Sequence, residues 1–222
     1  QHHGSSVNLE RQEGPHVHSV VPDAANRHVF VQDLGIDKIM VYKLDIEAGR
    51  LVPHEPPWIQ TRAGLGPRHF VWHPNGRYAY VTNELESTFS VFHYDETTAM
   101  LKESQTVSMI PESFDGENTC ADIRITPAGE YVYASNRGHD SIAAFSVDGS
   151  TGALEAISHT PTEATPRAFT LDPDGAYLIA AGQGSGKLAT YRIDDETGHL
   201  EALEVYEVGS NPMSVLALDL GS

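Results

Sequence analysis

Pro67-Arg68-His69-Phe70-Val71-Trp72-His73-Pro74-Asn75-Gly76-Arg77-Tyr78-Ala79-Tyr80-Val81-Thr82-Asn83 reads as a strand, a tight turn and a returning strand. β-Branched and aromatic residues fill both runs, and Gly76 supplies the positive φ that such a turn needs. The opening half of this phrase occurs four times. Pro15 to Pro22, Pro67 to Pro74, Cys120 to Pro127 and Pro166 to Pro173 each carry a short apolar strand to a closing proline, and those prolines lie 52, 53 and 46 residues apart. A strand-only repeat of about fifty residues predicts an all-β propeller built from four-stranded blades.

Working outward, the repeat divides a single domain, residues 1–222, into blades at about 14–65, 66–118, 119–163 and 164–209. The first should hold strands His16–Val21, His28–Gln32, Lys38–Leu44 and a short Leu51–Pro53; the second Arg68–Trp72, Tyr78–Asn83, Thr88–Tyr94 and Leu101–Met109. The third should hold Asp122–Ile125, Tyr131–Asn136, Ser141–Val147 and Leu154–His159, and the fourth Arg167–Leu171, Tyr177–Ala181, Lys187–Ile193 and Leu200–Val208. Residues 1–13 read as a surface segment. Met213–Leu218, within 211–219, matches an inner strand by spacing, so the chain reads as four blades plus one inner strand. Open blade edges left by that count would favour self-association.

Apolar residues make up 40% of the 222, and no apolar run approaches the ~18 residues of a membrane span. No leader sequence is visible. The net charge of −17 argues against nucleic acid, whose phosphates require a basic face. One cysteine, Cys120, precludes an internal disulfide and fits a reducing cytoplasm. Ten arginines against four lysines, on an acidic background, suit either a salt-adapted or an ordinary acidic enzyme.

Aligned on the closing prolines, the start of each inner strand carries His16, Arg68, Ala121 or Arg167, and the residue after each second strand is Leu34, Glu84, Arg137 or Gln183. Antiparallel strands bring the start of the first beside the end of the second. His16, Arg68, Glu84 and Arg137 are therefore expected at one mouth of the propeller as the catalytic set. His18, His69, Asn83, Asn136 and Arg167 are expected to line it as substrate-binding residues, with Asp122 aligned to His69. A base that activates water (Glu84 or His16) and guanidinium groups that hold an oxyanion or clamp a phosphate or carboxylate (Arg68, Arg137) suit attack of water on a carbonyl. The plain alternative is that Arg68 and Glu84 form a structural ion pair. His16 and His18 share a strand face, but with His69 they fall short of a convincing metal set, and no metal or other cofactor is expected. Gly182-Gln183-Gly184-Ser185-Gly186-Lys187 lacks the spacing of a phosphate loop and reads as a hairpin turn.

Several stretches resemble the lactonase-type seven-bladed β-propellers, the propeller-type 6-phosphogluconolactonase family, related to fungal carboxy-muconate lactonising enzymes. They are Gly4-Ser5-Ser6-Val7-Asn8, Arg11-Gln12 with Gly14-Pro15-His16, Gly66-Pro67-Arg68-His69-Phe70, Tyr80-Val81-Thr82-Asn83-Glu84-Leu85, Ser135-Asn136-Arg137-Gly138-His139 and Thr165-Pro166-Arg167. The resemblance implies hydrolysis of a phosphorylated sugar lactone, 6-phosphogluconolactone, at the positions of His16, Arg68, Glu84 and Arg137. A cycloisomerase of carboxylated muconates and a non-catalytic binding propeller are the alternatives. Seven blades would need ~350 residues, so the resemblance implies a member lacking its N-terminal blades.

Overall fold

A computed structural model describes residues 1–219. Sixteen strands fold into four antiparallel sheets of four, each paired in sequence order, among the described residues. The first sheet holds β1 (Val17–Pro22), β2 (His28–Asp33), β3 (Lys38–Asp45) and β4 (Arg50–Gln60). The second holds β5 (Pro67–Trp72), β6 (Tyr78–Asn83), β7 (Thr88–Asp95) and β8 (Met100–Ser108). The third holds β9 (Thr119–Ile125), β10 (Tyr131–Arg137), β11 (Ser141–Val147) and β12 (Leu154–Pro161). The fourth holds β13 (Pro166–Leu171), β14 (Tyr177–Gly182), β15 (Lys187–Ile193) and β16 (Leu200–Glu207). These are the four blades read from the repeat, each a meander whose short turns leave no room for a crossover.

Three expectations change. The fourth strand of the first blade is not short: β4 runs eleven residues through Pro53, Pro56 and Pro57. It is the outermost strand of its sheet, with one side unpaired, the place in a sheet where proline is tolerated. Residues 211–219 form no strand; Gln183 of the blade before them donates to Asn211 Oδ1 at 2.8 Å and lies 3.1 Å from Met213 Sδ. A strand needs a ladder partner, and none is present among the described residues. Residues 1–13, read as surface, are pinned: Gln12 is fully buried and donates to the Leu34 carbonyl at 2.8 Å, while Ser6 donates to Asp37 at 2.5 Å.

Two compact units divide the chain, Gln1–Thr106 and Val107–Ser222. In the first, Phe30, Ile39, Val41, Phe70, Val81 and Phe92 form a core between the facing sheets, and Phe30 meets Phe70, Trp72 and Tyr94 with ring centroids 5.2–5.8 Å apart. In the second, Tyr133, Ile142, Phe169, Leu178 and Tyr191 do the same. The alternating inward positions of each strand are apolar, which is why the sheets pack face to face. Polar ties fix adjacent inner strands: the Trp72 indole donates to the Pro22 carbonyl at 2.8 Å, and the Phe169 amide donates to Asp122 at 3.3 Å.

Registers set the candidate site. Pro67 pairs with Asn83, Val17 with Asp33, Thr119 with Arg137 and Pro166 with Gly182. In every blade, the start of the innermost strand thus lies beside the end of the second.

Candidate functional site

Arg68 is the second residue of β5 and Glu84 follows the last residue of β6. Their neighbourhood is fixed by backbone bonds: the Glu84 amide donates to the Gly66 carbonyl at 2.8 Å and the Leu85 amide to the Leu65 carbonyl at 3.1 Å. The loop 64–66 is itself held by Asp37, whose carboxylate accepts from the Gly64 and Gly66 amides at 2.7 and 2.8 Å. Asp37 sits at φ 51°, a left-handed conformation that aspartate tolerates better than most residues.

On that frame the Arg68 Nε lies 2.7 Å from Glu84 Oε2, with the two side chains only 3% and 2% exposed. The other carboxylate oxygen, Oε1, accepts from Arg11 Nη2 at 2.5 Å. Arg68 Nη1 lies 3.0 Å from His69 Nε2, and Ser19 donates to the Arg68 carbonyl at 2.8 Å. The result is a continuous chain, Arg11–Glu84–Arg68–His69, that begins at the surface and ends among half-buried groups. Both oxygens of Glu84 are engaged, so the carboxylate is placed to orient two guanidinium groups.

His16 is half-buried, with its Nε2 3.0 Å from Glu13 Oε1. Its backbone amide donates to Asp33 at 2.7 Å, and the Leu34 amide donates back to its carbonyl at 3.0 Å. This close approach requires Gly35, because a Cβ there would sit 1.8 Å from the Gly14 carbonyl. The Glu13 carboxyl is held below the usual range, first by a hydrogen bond to its own backbone and then by His16. His18 lies two residues on, half-buried on β1.

Asn83 is buried but turned into its blade, where its amide donates to Thr88 and Ser90 at 3.1 and 3.0 Å. The second unit treats the same repeat position alike: Asn136 donates to the Met109 carbonyl at 2.7 Å and accepts from Asn118 at 3.1 Å. These asparagines hold turns. The residue after each is the one that leaves the blade. In the second unit, Arg137 donates to the Cys120 carbonyl at 2.9 Å. Arg167 is half-buried at the start of β13, and Asp122 is committed to Arg124 and to the Ile123 and Phe169 amides. The structure therefore brings together His69, Arg68 and Glu84 of the expected residues, realises the expected Arg68–Glu84 pair, and adds Arg11 and Glu13, both from the segment read as surface. No group of three or more metal-ligating side chains occurs among the described residues. A cavity of about 490 Å³ bounded by Asp23, Arg27, Trp72, Asn75 and Tyr94 lies at the opposite strand ends, by the closing prolines, away from this chemistry.

The chain matches the family described as Lactonase, 7-bladed beta-propeller, over residues 1–217. It belongs to that lactonase family. The chain is 42% identical over 204 residues to a 6-phosphogluconolactonase of Pectobacterium carotovorum, covering 91% of this chain and 61% of that relative. A 6-phosphogluconolactonase of Klebsiella pneumoniae is 42% identical over 166 residues, covering 74% and 49%. Among solved structures, the periplasmic gluconolactonase of Pseudomonas aeruginosa superposes with a TM-score of 0.88 at 32% identity, covering 95% of this chain and 59% of that one. This lactonase-family chain thus spans about six-tenths of the first relative's length. Among the described residues, no helix is long and apolar enough to cross a membrane.

Proposed function

We propose that the site at Arg68 and Glu84 hydrolyses a sugar lactone, 6-phosphogluconolactone, to the open-chain acid. The observation that carries this reading is the buried Arg68–Glu84 ion pair joined to half-buried His69, in a chain of the lactonase family. His16, steadied by Glu13, takes a proton from water as the water oxygen attacks the lactone carbonyl carbon. The carbonyl oxygen gains negative charge, and the Arg68 guanidinium, oriented by Glu84 and shielded from solvent, stabilises it. Such a preoriented cation in a dry setting acts more strongly than one in water. The ring carbon–oxygen bond then breaks, and the ring oxygen leaves with the proton returned by His16. The relatives named 6-phosphogluconolactonase support a phosphorylated substrate, and a reducing, cytoplasmic setting fits the single buried Cys120.

The test follows acid release from 6-phosphogluconolactone in a weakly buffered solution with pH indicator. Wild-type protein should release acid faster than the spontaneous rate, and His16→Gln and Arg68→Met should each remove most of that gain. Equal rates for wild type and Arg68→Met would refute the assignment.

A further inference from the structure

Arg68 offers little surface to a second anionic group: it is 3% exposed, and its guanidinium is already shared between Glu84 and His69. Arg11 is placed oppositely. Its side chain is 43% exposed, and its guanidinium makes one contact, Nη2 to Glu84 Oε1. The remaining N–H donors meet no acceptor among the described residues. Nor is Arg11 carried on a loose tail. The Ser6 amide donates to the Gln12 carbonyl at 2.9 Å and closes the loop, Asn8 Oδ1 accepts from the Arg11 amide at 3.1 Å, and buried Gln12 fastens the loop to Leu34. Glu13, on the same segment, is paired with His16. A guanidinium held along one edge by a carboxylate, with its other edge open, is a receptor for a second oxyanion.

We infer that Arg11 is the residue that distinguishes a phosphorylated lactone from its unphosphorylated counterpart, taking the phosphate on its open edge while Glu84 fixes its orientation. This rests on the lactonase reading above and adds to it the residue that sets substrate choice. Lysine would keep the charge but lose the planar fork and the simultaneous hold on Glu84.

The experiment compares wild type, Arg11→Ala and Arg11→Lys on 6-phosphogluconolactone and on unphosphorylated gluconolactone. Circular dichroism confirms the fold of each. Loss of a charge-assisted phosphate contact should lower the ratio of kcat/KM for the phosphorylated over the plain lactone by about tenfold to a hundredfold in Arg11→Ala, chiefly through KM, with a smaller fall in Arg11→Lys. Equal losses on both lactones would mean that Arg11 only positions Glu84 and would overturn the inference, as would an unchanged ratio. Calorimetric binding of 6-phosphogluconate and of gluconate separates this from failure of the hydrolase reading. A wild type that turns over neither lactone sinks that reading, yet weakened binding of 6-phosphogluconate alone in Arg11→Ala still upholds Arg11 as the phosphate receptor. Unaltered binding of both acids in that case overturns it.

Discussion

Glu84→Gln keeps the side chain's size and removes its charge. The consequence follows from burial. Arg68, at 3% exposure, would retain a full positive charge beside a neutral amide. Removing one partner of a buried ion pair costs about 3–5 kcal/mol, because the other charge stays desolvated. The Arg11 contact, 43% exposed on the arginine side, adds at most about 1 kcal/mol. Arg68→Met should cost a similar amount, since it leaves the buried Glu84 carboxylate with the part-exposed Arg11 in place of its buried partner. The double variant Arg68→Met/Glu84→Leu leaves no orphaned charge between the two positions. Its loss should fall short of the sum of the single losses by about 2 kcal/mol or more. Urea unfolding followed by tryptophan fluorescence measures all three. Rates add a second readout: if Glu84 acts by aiming Arg68 at the oxyanion, Glu84→Gln should lower kcat by about 10²–10³-fold. Single losses that sum to the double within about 0.5 kcal/mol would refute the coupling. A variant that keeps its full kcat would refute the orienting role.

Phe30→Ala removes a fully buried ring that touches three other aromatic rings in the first unit, and should cost about 3–5 kcal/mol by chemical denaturation. Asp37→Ala orphans the Gly64 and Gly66 amides and the Ser6 hydroxyl; a loss of about 3 kcal/mol is expected, visible as a lower melting temperature together with a raised KM as the loop before Arg68 loosens. His159 is held below its ordinary 6.5 by burial and then by His139, against a raising contact to the Met109 carbonyl. The unfolded chain therefore binds that proton more readily, so this contribution to stability is complete above about pH 6.5 and is lost as pH falls toward the lower folded value. His159→Gln should flatten the melting-temperature profile between about pH 7 and 5, and an unchanged slope would exclude His159 as its source.

The strands were legible because their apolar alternation is interrupted at regular places by glycine, proline and asparagine, and because four copies check one another. β4 was underestimated because a local rule, that proline ends strands, does not know which strand lies at an edge. The repeat also placed Arg68 beside Glu84 correctly, since antiparallel pairing depends on sequence alone. It could not tell that Asn83 points into the blade and Glu84 out of it; that is settled by what each side chain finds, here Thr88 and Ser90 against two arginines. Arg11 and Glu13 were missed because residues 1–13 have no period to read. The signal available was that Arg11-Gln12 stood in one of the stretches shared with the lactonase family, a segment whose hydrogen bonds only the folded chain displays.

Arg11 meets Glu84 across 73 residues of chain, and Ser19 meets Arg68 across 49. Contacts of such sequence separation carry a loop-closure cost that local turns escape, and they form late in folding. A chain with either of its first two meanders formed alone would show native-like strand signals while lacking the assembled charge cluster. Recovery of the proposed hydrolysis after dilution from denaturant should therefore lag behind recovery of secondary structure.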